Sequence, residues 1–483
     1  MKANSEVLKK TSALGMSLIL TMGMASCASD SANETSDTQA ETTTTAATVA
    51  INTEQLNEED KQIVEGASSS MLVDKPLENK EIKWLAHYDL NPDGRGGSKS
   101  LALEMFESTY GGTIKYYPTT WGSRWTDLST YVLGGEGIDF FPFETSSLPK
   151  GIVNGMFEPV DEYIDLESPL WQETAQGMEM FNFNGKHYEF CTGMSPEAVV
   201  IYNKQTIEEN GLDDPWELYQ KGEWNWDTFK DMMYEFVDVD NDMYGLDGWY
   251  YQKAIATSAG GSIITLNDNG LMELTVDDPK FGKPLELGGE LFSNNMFMDL
   301  SLFNWKDQPH KMGEGSELFY FCGAWTFELE PSLWTTAIPP ENVGMVPVPC
   351  SPDFDTVYSV IPDGFTLCKG AANPEGVARY AECCIAASIN EDTVRITNEK
   401  RKNDFGWTDS MIEQYDECVR AAKETPYYDF SYGISDDFYN SIANTVINGS
   451  FNGEDPATLK DMVRDVGALL VEEFNGELSQ AIS

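Results

Sequence analysis

Histidine is nearly missing from this sequence: His87, His187 and His310 are the only three in 483 residues. They lie far apart, with no His-x-x-x-His or His-x-x-Cys spacing. A His-based zinc site would need all three to converge, and three structural histidines are the simpler reading. Basic residues are scarce as well, with 31 Lys and Arg against 80 Asp and Glu and a formal net charge of -49. That balance excludes nucleic acid as a partner, because a phosphate backbone is held by clustered Lys and Arg that release counterions. No Gly-x-Ser-x-Gly elbow, phosphate-cradling glycine loop or metalloprotease motif is present, and Asp93-Gly94-Arg95-Gly96-Gly97 reads as a turn. Of the eight cysteines, none forms a Cys-x-x-Cys metal pair. No apolar run approaches the roughly 20 residues that a membrane-spanning helix needs.

What is present supports a globular core. Hydrophobic residues make up 41% and aromatics 12%, and the length accommodates two or three core-forming units at roughly 100–200 residues each. The N-terminus has the layout of an export signal: Lys2, Lys9 and Lys10, an apolar run from Ala13 to Met24, then small Ala25 and Ser26 before Cys27. Met24-Ala25-Ser26-Cys27 resembles a bacterial lipobox, with Met where Leu is commonest. The resemblance implies a diacylated Cys27 and a membrane lipid anchor; plain secretion is the alternative. Residues 28–79 then read as an acidic, Thr- and Ser-rich tether whose first part cannot repay its ordering entropy by burial. With Cys27 spent on lipid, seven cysteines remain, an odd number that favours buried free thiols.

The folded part opens with a strand over Glu81–Tyr88, a helix over Leu101–Tyr110, a strand over Gly112–Pro118, a helix over Trp125–Leu133 and a buried strand over Gly137–Phe141. That alternation predicts a parallel α/β layer, whose ligands sit in loops beyond the carboxyl ends of the strands. Those loops carry His87-Tyr88-Asp89, Thr120-Trp121-Gly122 and Phe143-Glu144-Thr145.

From about Ile82 onward the chain resembles extracellular solute-binding proteins of family 1, the receptors of ABC importers for sugars and oligosaccharides. The resemblance rests on short patterns in order. They are Gly137-Ile138-Asp139-Phe140-Phe141 (Ile138 where Pro is usual), Gly155-Met156-Phe157-Glu158-Pro159-Val160-Asp161, Ile201-Tyr202-Asn203-Lys204, and Trp226-Asp227-Thr228-Phe229. Phe321-Cys322-Gly323-Ala324-Trp325, Val343 to Pro349 and Asn373-Pro374-Glu375 follow. It implies an α/β, two-lobed, hinge-linked fold, with residues 80–190 and 352–395 in one lobe and 191–351 and 396–483 in the other. It also implies a monomer that binds a carbohydrate, without catalysis, and delivers it to ABC permease subunits from the extracellular face of the membrane.

A sugar offers C–H faces to aromatic rings and hydroxyls to carboxylates and amides. Trp121, Trp249 and Trp325, with Tyr88 and Phe143, are the expected stacking residues; Asp89, Glu144 and Asp363 are the expected hydroxyl partners, and Phe365 accompanies Asp363 in its loop. Trp224 and Trp226 read as structural, at a helix entry. Asp238, Asp240 and Asp242 alternate as calcium ligands would, although the loop lacks the Gly and the closing acid of an EF-hand. A solvated acidic turn is the other reading, and no other cofactor is expected. Two further functions stay open: a secreted glycoside hydrolase using two carboxylates, and the same receptor fold binding a peptide.

Overall fold

The computed structural model describes residues 56–483 apart from Asp74, residues 93–98 and Trp305. The signal segment, Cys27, the first part of the tether and the Asp93–Gly97 turn lie outside the described residues.

Helix α1 (Glu58–Met71) corrects the expected length of the tether. Asn57 caps it, its side chain accepting from the Asp60 amide at 2.8 Å, and Glu58, Glu59 and Asp60 complement the positive end of the helix. Val64 and Ala67 are buried in the same core as Leu56, Leu72 and Leu77. Apolar residues spaced along an otherwise acidic stretch thus attach the chain to the fold well before residue 79.

The first sheet starts with β1 (Glu81–Ala86), crosses through helix α2 (Leu101–Tyr110) to β2 (Thr113–Pro118), and through helix α3 (Arg124–Gly134) to β3 (Phe140–Pro142). β2 and β3 both run parallel to β1. β3 is shorter than the sequence suggests, because Asp139 turns its buried carboxylate to the Lys83 and Asn373 amides. β4 (Glu189–Pro196) then leads over Glu197 into a second sheet.

That second sheet holds β5 (Ala198–Asn203), β6 (Tyr244–Gly248), β7 (Glu317–Gly323) and β8 (Val343–Pro347) in the order β8-β5-β7-β6. All four are buried along their full length, as expected of strands covered on both faces. Helix α4 (Tyr251–Thr257) follows β6. Trp224 and Trp226 are buried, donating to the Pro347 carbonyl at 2.8 Å and to the Ser258 hydroxyl at 2.9 Å, which fits their structural reading.

The chain returns to the first sheet as β9 (Tyr358–Leu367), antiparallel to both β3 and β4. Helices α5 (Pro374–Ile389) and α6 (Glu391–Phe405) pack there on α1, whereas α7 (Asp409–Glu424) lies against β8, β4 and β9. β10 (Pro426–Tyr427) pairs with the start of β9, and the long α8 (Pro456–Ala481) closes the chain. The first sheet therefore runs β10-β9-β3-β1-β2, with β4 also on β9. Among the described residues no helix is long and apolar enough to cross a membrane. The seven described cysteines are all free thiols, six of them buried.

Strand register fixes where the functional surface lies. Val360 pairs with Pro196, so β4 ends at the start of β9 and points the same way as β1, β2 and β3. Ala198 pairs with Gly323 and Phe321 with Gly248, so the carboxyl ends of β6 and β7 lie beside the start of β5. Both sets of strand ends accordingly meet at the crossing between the sheets.

Candidate ligand-binding site

At the first sheet, the loops after β1, β2 and β3 form one cluster. The Arg124 guanidinium lies over the Trp121 ring, 3.6 Å from its centroid, and its Nε donates to Glu144 Oε2 at 2.6 Å. His87 stands edge-on to Trp121, the ring centroids 5.2 Å apart. Trp121 is 60% exposed, but Arg124 takes one of its faces. Arg124 carries no motif in the sequence; only its place one helical turn after Trp121 marks it. Glu144 Oε1 is buried without a hydrogen-bond partner, so this carboxylate has one oxygen engaged and one available. Burial raises its pKa against the opposing pull of Arg124.

Tyr88 is partly exposed, yet burial and the carboxylates of Glu144 and Asp363 push its hydroxyl pKa upward. Its ring stands edge-on to Trp84, whose indole donates to the Tyr88 carbonyl. Asp363 is exposed and accepts from Ser195 Oγ at 2.8 Å. Asp89 is exposed and caps its own turn through the Asn91 amide. Trp121, Glu144, Tyr88 and Asp363 thus share one end of the sheet, as their sequence positions suggested.

Phe143 and Phe365 do not belong to that surface. Both are buried to 8% exposure, Phe143 against Phe181 and Tyr428, Phe365 against Trp84, Phe140 and Tyr380. The reason for Phe365 is local. Phe365 sits level with Pro142, the last residue of β3, where Trp84, Phe140 and Tyr380 cover it, whereas Asp363 extends beyond the end of that strand.

At the second sheet, Trp249 and Trp325 extend from the ends of β6 and β7. Their rings stack at 5.7 Å and 24°, and both remain exposed, at 44% and 40%. Gly248 makes the approach possible: at φ +125°, a Cβ there would lie 2.0 Å from the Phe321 carbonyl oxygen, which accepts from the Trp249 amide. Tyr250 hydrogen-bonds Trp325. Buried in the same sheet lies an acid group that sequence reasoning missed. Asp247 and Glu317 are essentially fully buried; Asp247 Oδ2 accepts from the Gln308 amide at 2.8 Å, and Asp307 accepts from Tyr320. Asp247 Oδ1 and both Glu317 oxygens have no hydrogen-bond partner. Burial, with Asp307 adding repulsion, pushes the Asp247 carboxyl up to about 6.

The expected calcium loop does not gather its carboxylates. Asp238, Asp240 and Asp242 are exposed or nearly so, Asn241 donates to Asp238 and Tyr244 to Asp242. Among the described residues no three His, Cys, Asp or Glu side chains are placed to hold an ion. A broad hollow of about 640 Å³ lined by Lys204, Gln205, Glu208, Glu209 and Asn342 lies at the other end of β5, away from the tryptophans.

Residues 102–399 match the family described as bacterial extracellular solute-binding proteins. A maltotriose-binding protein of Pyrococcus abyssi is 28% identical over 138 residues, 28% of this chain; the match spans 27% of that relative's length. Among solved structures, an ABC substrate-binding protein of Listeria monocytogenes in complex with cycloalternan aligns with a TM-score of 0.58 at 15% identity. The alignment covers 82% of this chain and 99% of that one. The galacto-N-biose/lacto-N-biose I-binding protein of Bifidobacterium longum aligns at 0.57 and 14% identity, over 82% and 97%. At these identities the structural likeness speaks for the fold, a two-lobed α/β architecture.

Proposed function

We propose a function for a chain that belongs to the bacterial extracellular solute-binding proteins: it is a receptor that binds a carbohydrate, most simply an oligosaccharide, between its two sheets. The observation that carries this reading is the exposed Trp249–Trp325 stack beside the crossing, with Trp121, Glu144, Tyr88 and Asp363 at the strand ends on the crossing's other side. Ring faces suit sugar C–H surfaces, and the free Glu144 oxygen suits a hydroxyl donor. The maltotriose-binding relative and the cycloalternan- and lacto-N-biose-bound structures support the same solute class.

In this reading the lobes follow the two sheets. Residues 80–190 with 352–395 form one, and 191–351 with 396–483 the other, except that β4 and β10 belong to the first sheet and α6 stays with the first core, where Ile396 is buried. The receptor works as a monomer without cofactor and without turnover. It is held at the extracellular face of the cell membrane through Cys27, and hands its solute to ABC permease subunits.

The test is a thermal-shift series on the fragment from Ala28 with maltotriose, other oligosaccharides, monosaccharides and a peptide pool. A ligand at 100 times its Kd adds about 2.7 kcal/mol, which is roughly 3 °C for a chain of this size. One saccharide class raising Tm, with loss of that shift in Trp325→Ala at unchanged basal Tm and no hydrolysis product, is the expected result. A shift by peptides alone would keep the fold and overturn the solute.

A further inference from the structure

Three chain segments pass between the sheets: Glu197 joins β4 to β5, residues 348–357 join β8 to β9, and the stretch after β10 leads from the first sheet toward the second. One buried cation lies where they meet. Lys253, on α4, places its Nζ 2.5 Å from Glu197 Oε1 in the first passage. Glu197 Oε2 accepts from Ser359 Oγ at 2.5 Å, and the Glu197 amide donates to the Ser359 carbonyl at 2.8 Å, which ties in the start of β9, where the second passage ends. In the third, the ammonium stands 4.9 Å from the centre of the Tyr432 ring and feels the buried carboxylate of Asp429.

The same residue connects the two halves of the site. Lys253 is one turn beyond Tyr250, which hydrogen-bonds Trp325. On the other side, Tyr428, next to Asp429, donates to the carbonyl of Thr145, the neighbour of Glu144. Glu197 and Lys253 are 3% and 8% exposed, and the void beside Glu197 is only about 10 Å³, so water does not replace either partner readily. Burial acts to lower the Lys253 pKa, but Glu197 and Asp429 outweigh it and keep the ammonium charged.

We propose that Lys253 is the hinge ion of this receptor, a positioning residue that holds all three passages to one point and links the Trp249–Trp325 platform to the loop of Glu144. The proposal stands on the two-sheet fold and is independent of which solute binds, so its failure and that of the carbohydrate reading are separable.

Hydrogen exchange of the full chain without ligand tests it. In Lys253→Met, amide exchange is expected to rise tenfold or more in residues 194–198, 357–360 and 425–432 together, while β1 and β7 keep their protection. A rise confined to α4, or none, would overturn the proposal, since a packing role reaches only the helix that carries the residue. Should Lys253→Met not fold, Asp429→Asn keeps the Lys253–Glu197 pair. It is expected to raise exchange tenfold in 425–432 and leave 194–198 unchanged; unaltered exchange in 425–432 would equally refute the role.

Discussion

Replacing Asp247 by Asn should stabilise this protein at neutral pH. The Asp247 carboxyl is pushed from 3.8 up to about 6 in the folded chain, so the folded state retains a proton that the unfolded state releases. Stability from this group is therefore intact below pH 3.8 and falls as pH rises through 6, staying lost above it. Two pH units at 1.36 kcal/mol each give about 3 kcal/mol. Asparagine is nearly isosteric: its oxygen can accept from the Gln308 amide, and its nitrogen offers two donors beside Glu317, whose oxygens now lack partners. For the folded residues from Leu56 to Ser483, an unfolding entropy of about 0.9 kcal/mol per degree converts the gain to roughly 3 °C. Calorimetric melts of both proteins at half-unit steps from pH 3.5 to 8 would show the gap opening between about pH 4 and 6 and staying constant above that. A constant difference across the whole range, or a less stable variant at pH 8, would refute the assignment of a strained buried carboxylate.

Other expectations follow from single contacts. Gly248→Ala forces a Cβ onto the Phe321 carbonyl at φ +125° and should cost about 2 kcal/mol or more; denaturant melts with an unchanged midpoint would count against the geometry. Val64→Ala, in a fully buried position of α1, should cost about 1–3 kcal/mol. An exposed tether would tolerate the change without effect, so the same melts decide whether α1 belongs to the fold. Trp249→Ala should weaken saccharide binding at least tenfold by titration calorimetry while leaving Tm within a degree or two; a loss of folding would move this residue from platform to core.

The sequence displayed the strand-helix-strand order of the first sheet because period-two and period-3.6 patterns alternate clearly from Glu81 to Phe141. It also displayed the exposed tryptophans, since Trp249 and Trp325 fall just after buried runs that end in glycine. Three kinds of information were hidden. Helix α1 lies in an acidic segment where Val64 and Ala67 are diluted below any recognisable face. Phe365 went to the core because β9 is already flanked by β3 at that level and capped by Tyr380, contacts that leave no compositional trace. Phe143 was taken inward by Phe181 and Tyr428, residues about 40 and 285 positions away. Lys253, Glu197 and Asp429 likewise come together only through tertiary structure, and none belongs to a motif.

The stacked tryptophans carry a further consequence. Two indoles 5.7 Å apart and nearly parallel couple electronically, so the pair forms an intrinsic chromophore with its own near-ultraviolet circular dichroism. Anything that seats on one outer face, or tilts one ring, changes that signal without a label. The protein thereby reports optically on its own platform, and the spectrum can be followed in the intact chain at any pH where it remains folded.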